Sequence, residues 1–80
     1  MSTLKVFVDF NNRDAEGLLR LNLRGTLDDL WKECVTLEKG MPIIGSDGDL
    51  VASIIVVEPG GEGIWRGRIV DGPWEDDSHK

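Results

Sequence analysis

The sequence predicts a mainly β fold with one short helix, in the order β-β-α-β-β-β, built as a small curled antiparallel sheet or a partly open barrel. Three observations lead there. Five short runs rich in β-branched and aromatic residues are separated by clusters of Gly, Pro, Asn and Asp. A single segment, starting at Thr26, carries apolar residues at helical spacing. One run, Leu50 to Val57, is apolar on both of its faces, and curling a small sheet is a way to bury such a strand and remove exposed edges.

Leu4 to Phe10 alternates as a strand does. Leu4, Val6, Val8 and Phe10 share one face, and Lys5, Phe7 and Asp9 the other. Asn11 to Asp14 supplies turn chemistry, and Gly17 closes that loop. Leu18 to Arg24 is a second alternating run, with Leu19, Leu21 and Leu23 opposite Arg20, Asn22 and Arg24. Its expected partner is the first strand, in a hairpin with a long loop.

Thr26 reads as a helix N-cap, its hydroxyl free to accept from the first-turn N–H groups. Asp28 and Asp29 put negative charge where the helix dipole favours it. Leu27, Leu30, Trp31 and Cys34 follow at i, i+3, i+4 and i+7, so a helix over 26–34 is expected to dock this face on the sheet. A helix of that length gains its stability from docking, not from itself.

Met41 to Gly45 is the third strand, with Pro42 restricting it to an edge or to one-sided pairing at that point. Ser46 to Asp49 is a tight turn. Leu50 to Glu58 is the fourth and longest strand. A strand apolar on both faces is buried on both, or half of it lies at an interface. Pro59-Gly-Gly-Glu-Gly63 is a turn, Ile64 to Val70 the fifth strand, and Asp71-Gly-Pro73 its stop. Residues 1–73 are expected to form one domain, followed by an acidic tail over 74–80.

Eighty residues make one domain with little room for an internal cavity. With one cysteine, Cys34, and one histidine, His79, neither an internal disulfide nor a four-ligand zinc site can be assembled, so no cofactor is expected. No stretch reads as a leader peptide, and no apolar run is long enough to span a bilayer. A cytoplasmic, bacterial-type protein is the expectation.

The net charge is −6, and it is uneven. Residues 1–40 hold six Lys/Arg against seven Asp/Glu, whereas residues 41–80 hold three against eight. Nucleic-acid binders owe much of their affinity to a basic footprint, and this chain has the opposite overall sign.

Val35-Thr-Leu-Glu-Lys-Gly-Met-Pro-Ile-Ile-Gly-Ser-Asp47, a long strand, a Gly turn and Ile64-Trp-Arg-Gly-Arg-Ile-Val70 together resemble the core of an SH3-like small barrel. Phe7 to Gly17 is similar to small bacterial proteins of unknown function. The resemblance implies a binding domain and brings no catalytic residue with it.

Several groups invite a chemical reading. Asp9, Asn11, Asn12 and Asp14 are oxygen-rich, but the spacing is not that of a calcium loop and Asx turns explain it. Asp47 and Asp49 flank Gly48 and read as a plain β-turn. Cys34, on the apolar helix face with no base near it, reads as a small buried hydrophobe. Pro59 to Gly63 lacks the Lys and the following helix of a phosphate loop.

The candidate partner-binding residues are Arg20, Arg24, Trp65, Arg66, Arg68 and Trp74. Arg66 and Arg68 share a strand face, and Arg20 and Arg24 could extend it into one basic patch. The plainer account is that these arginines pair with nearby carboxylates on a solvated sheet face. Trp74 is a candidate anchor at an interface. The expected function is a non-enzymatic protein-interaction module that binds a protein partner or itself. The rivals are a nucleic-acid-associated accessory domain and an acidic, antitoxin-like inhibitor of a basic partner.

Overall fold

The computed structural model describes residues 4–22, 24–32 and 36–75, and for Arg24 the backbone alone. Its elements are β1 (Lys5–Phe7), β2 (Leu19–Arg20), α1 (Arg24–Lys32), β3 (Pro42–Ser46), β4 (Leu50–Val57) and β5 (Arg66–Glu75). The strands form one sheet in the order β1-β3-β4-β5-β2, curled through 214° into a half-barrel.

The sheet is mixed, not antiparallel throughout. β1 runs parallel to β3, while β3–β4, β4–β5 and β5–β2 are antiparallel. The expected hairpin of the first two strands does not form: β1 and β2 lie at opposite edges. The loop between them closes on its own strand instead. Arg13 bridges Leu19, and the Asp14 N–H donates to the Leu18 carbonyl at 2.9 Å. The connection from Val8 onward therefore carries the chain from one edge of the half-barrel to the other.

Register explains how so small a sheet curls. Three rows cross its inner face: Val6–Gly45–Ala52, Ile43–Ile54–Ile69 and Val56–Gly67–Leu19. Gly45 and Gly67 lie on this inner face, and Ile54 lies against both. A Cβ on Gly67 would stand 2.6 Å from Ile54 Cγ2; one on Gly45 would collide with Ile54 Cδ1 and stand 2.9 Å from Val8 Cγ2. Ile54, Val6, Val8, Leu19 and Ile43 are all fully buried around this point. Glycine in a strand interior weakens the strand, and here the gap it leaves is filled by a packed side chain.

The helix begins two residues earlier than its sequence suggests, and Thr26 does not cap it. Thr26 is buried within α1, and its hydroxyl donates to the Phe7 carbonyl. Asp29, one turn on, accepts from the Phe7 N–H at 2.8 Å. Two helix side chains thus satisfy the N–H and carbonyl of Phe7 on the outer edge of β1, as a neighbouring strand would. Gly25 permits this approach, since a Cβ there would lie 2.8 Å from the Phe7 ring.

Serving that edge rotates the helix. Leu30 enters the core, but Leu27 is 52% exposed and Trp31 84% exposed, so the anticipated four-residue apolar plug reduces to Leu30 among the described residues. Cys34 and His79 lie outside the described residues.

β5 continues through Asp71-Gly72-Pro73 to Glu75, past the expected stop. The pairing with β4 shifts register on either side of Ser53, which admits the extra residues as bulges. β2 covers only Arg66 and Gly67 of β5. The remaining outer edge of β5 carries Arg68, Asp71, Pro73 and Glu75, the kind of charged, bulged, proline-bearing edge that discourages further strand addition. No helix among the described residues is long and apolar enough to cross a membrane.

Candidate functional site

The outer face of the half-barrel is defined by the same registers. One row runs Phe7–Ser46–Val51–Trp74, from β1 across β3 and β4 to β5. The next is Lys5–Ile44–Ser53–Asp71, and the third Pro42–Ile55–Arg68. The first row ends in exposed aromatic rings, Phe7 at 41% and Trp74 at 44% exposure, with small side chains between. With strands spaced about 4.8 Å apart, those ends lie about 14 Å from one another along the curve of the sheet. Val70, more than half exposed, lies between Ile69 and Asp71 on the irregular part of β5.

Val51, Ile55 and Val57 of β4 are only half-buried on this face, while Ala52, Ile54 and Val56 are buried on the other. This resolves the doubly apolar strand: one face makes the core, and the other lines an outward surface.

The predicted arginines divide into three fates. Arg20 and Arg66 stand directly opposite each other in β2 and β5, as a shared patch requires. Both are occupied. Glu62 grips Arg20 with two oxygens, at 2.9 Å to Nε and 3.1 Å to Nη2. Arg20 Nη1 also donates to the Arg13 carbonyl at 2.8 Å. Arg66 Nη1 meets Asp14 at 3.1 Å and Glu16 at 3.0 Å, and its Nε and Nη2 donate to the Glu58 carbonyl.

The Arg66 side chain is only 9% exposed, so its full set of partners is what makes burial tolerable. The cluster clasps the 14–16 loop to the β4–β5 hairpin. Arg68 is exposed and opposite Ile55. Arg24 opens α1 rather than extending β2.

Trp65 is half-buried against the core, and its carbonyl accepts from the Leu21 N–H. It is therefore separated from the arginine face, as strand alternation requires. Trp74 belongs to the outer row. Phe7, Glu62 and Glu16 were not evident from the sequence as members of any surface. Phe7 owes its place to the parallel β1–β3 pairing, and the two glutamates to contacts across 42 and 50 residues of chain.

The electrostatics follow the hydrogen bonds. Partial desolvation pushes the Asp14 carboxyl upward, but N–H groups of Leu18 and Glu16 and the Arg66 guanidinium outweigh it and hold its pKa below the ordinary value. Hydrogen bonding to Asp14 raises Arg66, and hydrogen bonding to Glu62 raises Arg20. Asp47 is lowered by the N–H groups of Leu50 and Asp49, which it accepts in the turn before β4.

Asp9 and Asp14 likewise accept backbone N–H bonds within the first loop, at 2.9 Å from Asn11 and 2.8 Å from Glu16. These carboxylates have the Asx-turn role that the sequence suggested.

No family model, no curated protein and no solved structure matches the chain.

Proposed function

We propose that this chain is a non-enzymatic protein-interaction module, a small SH3-like half-barrel that contacts a partner protein or a second copy through its outer sheet face. The observation that carries the reading is the outer row Phe7–Ser46–Val51–Trp74, exposed at both aromatic ends, with Val70 also exposed on β5. Aromatic side chains around a small-residue floor are typical anchors of protein interfaces, where most binding energy resides in a few such groups. The rival nucleic-acid reading loses support because Arg20 and Arg66, its central cations, already hold carboxylates. Light scattering across a wide concentration range, with affinity capture alongside, tests the proposal. Wild type should self-associate or capture a protein that the Phe7→Ser/Trp74→Ser variant does not. A strict monomer at high concentration, with identical captures by both proteins, would refute it.

A further inference from the structure

We propose that Asp71-Gly72 is a site of spontaneous isoaspartate formation, and that the fold directs this chemistry there and away from Asp47-Gly48. The chain holds two Asp-Gly pairs and no Asn-Gly pair. In such a pair the amide nitrogen of the glycine attacks the aspartyl Cγ. The new N–Cγ bond closes a succinimide ring, and the amide proton leaves with the side-chain hydroxyl as water. Water then reopens the ring. Attack at the Cγ carbonyl restores aspartate, whereas attack at the main-chain carbonyl leaves isoaspartate, with the backbone running through Cγ. Glycine favours ring closure because no Cβ shields its nitrogen.

Around Asp47 both reacting groups are held. Its Oδ1 accepts the N–H of Asp49 at 2.9 Å and that of Leu50 at 2.7 Å. These bonds favour the ionised carboxylate, whereas ring closure needs the protonated acid. The Gly48 N–H, the required nucleophile, donates to Ser46 Oγ at 3.1 Å, and Ser46 is buried. The Asp47 N–H closes the turn on the Leu50 carbonyl at 3.2 Å. The turn must open before the two groups can meet.

Asp71 has no counterpart to these restraints among the described residues. Its side chain is exposed and makes no hydrogen bond to any of them. Gly72 has no partner in the β4–β5 register: the pairing passes from Asp71 opposite Ser53 to Trp74 opposite Val51, so Gly72 and Pro73 share the space facing Ala52. On the other edge of β5, β2 reaches only Arg66 and Gly67. The Trp74 ring lies over Gly72, where a Cβ would collide with it. Isoaspartate adds one backbone atom just before that contact, so conversion lengthens β5 directly beside Trp74.

The test is an ageing experiment on the full chain, at neutral pH and physiological temperature over weeks. Digestion and electron-transfer fragmentation tell isoaspartate from aspartate at each position. Enzymatic methyl transfer from labelled S-adenosylmethionine to isoaspartyl carboxylates counts the total. A parallel sample in concentrated urea gives the behaviour of the unfolded chain. In the folded chain isoaspartate should accumulate at 71 about tenfold faster than at 47, since opening the hydrogen-bonded turn at Asp47 slows the reaction by about that factor. In urea the two rates should approach one another. Asp71→Glu, at an exposed position, should remove most of the methyl transfer to the folded protein, because the larger ring closes far more slowly. Equal rates at the two sites in the folded chain, a faster rate at 47, or a folded chain that forms no isoaspartate at 71 while the unfolded chain does, would overturn the proposal.

Discussion

Replacing Gly45 with alanine tests how the sheet manages to curl. The added methyl would collide with Ile54 Cδ1 and press on Val8 at 2.9 and 3.1 Å, whereas carbon atoms at rest stand about 3.5–4.0 Å apart. Ile54 and Val8 are both buried to the limit, so neither can swing into solvent. Overpacking of this kind costs about 1–3 kcal/mol. Gly67→Ala should cost a similar amount, because its methyl meets the other branch of the same side chain, Ile54 Cγ2 at 2.6 Å.

The two glycines can then be told apart. Ile54→Val deletes Cδ1 and keeps Cγ2, at a cost of its own of about 0.5–1.5 kcal/mol. Combined with Gly45→Ala it relieves the clash with Ile54 and leaves the contact with Val8, so the double variant should be more stable than the sum of its parts predicts. Combined with Gly67→Ala it relieves nothing, and the costs should add. Urea unfolding of the six proteins, read at constant m, measures both cycles. A neutral Gly45→Ala, or equal coupling in the two cycles, would refute the inner-row packing described above.

Three further outcomes follow from the same structure. Thr26→Val keeps the shape of a buried side chain but strands the Phe7 carbonyl, and should lower stability by about 1–3 kcal/mol in the same assay. Leu30→Ala should cost about 2–5 kcal/mol, whereas Trp31→Ser, at a largely exposed position, should stay within about 0.5 kcal/mol. Asp14, Asp47 and Glu58 have folded-state pKa values below their ordinary ones, so the stability they contribute is present at neutral pH. It is lost as pH falls from about 4 through those lowered values, as the unfolded chain takes up protons first. A pH series of unfolding midpoints should therefore decline below about 4, and Asp14→Asn should flatten part of that decline.

What the sequence made legible was local, and what it concealed was pairing. β4 could be placed to within a residue because an eight-residue apolar run between two turns admits little else. The Asx turns at Asp9 and Asp14 and the tight turn at Asp47 were likewise readable, since a short polar side chain reaches its own backbone whatever the rest of the chain does.

The parallel β1–β3 pairing was not readable. Lys5–Phe7 alternates identically whether its neighbour is β2 or β3, and no residue in the strand encodes direction. The rotation of α1 was hidden for a related reason. Its apolar spacing marks Leu27 and Trp31 as core positions, but the unmet backbone groups of Phe7 claim Thr26 and Asp29 instead, and the helix can turn only one face to the sheet.

Of the proposed partner-binding residues, Trp65 turned to the core instead of joining the arginines. The occupation of Arg20 and Arg66 depended on loops distant in sequence. Trp74 stood out as a single residue, and its row with Phe7 emerged only from register.

The interaction reading is tested most directly by contact itself. A photo-reactive residue placed in turn at positions 7, 70 and 74 of the outer face, with position 49 in the β3–β4 turn as control, would report what lies against each surface in the cell. The account predicts cross-links to protein, either another copy or a partner, from 7, 70 and 74 and none above background from 49. Outer-face positions that capture no protein, or that capture no more than position 49, would contradict it.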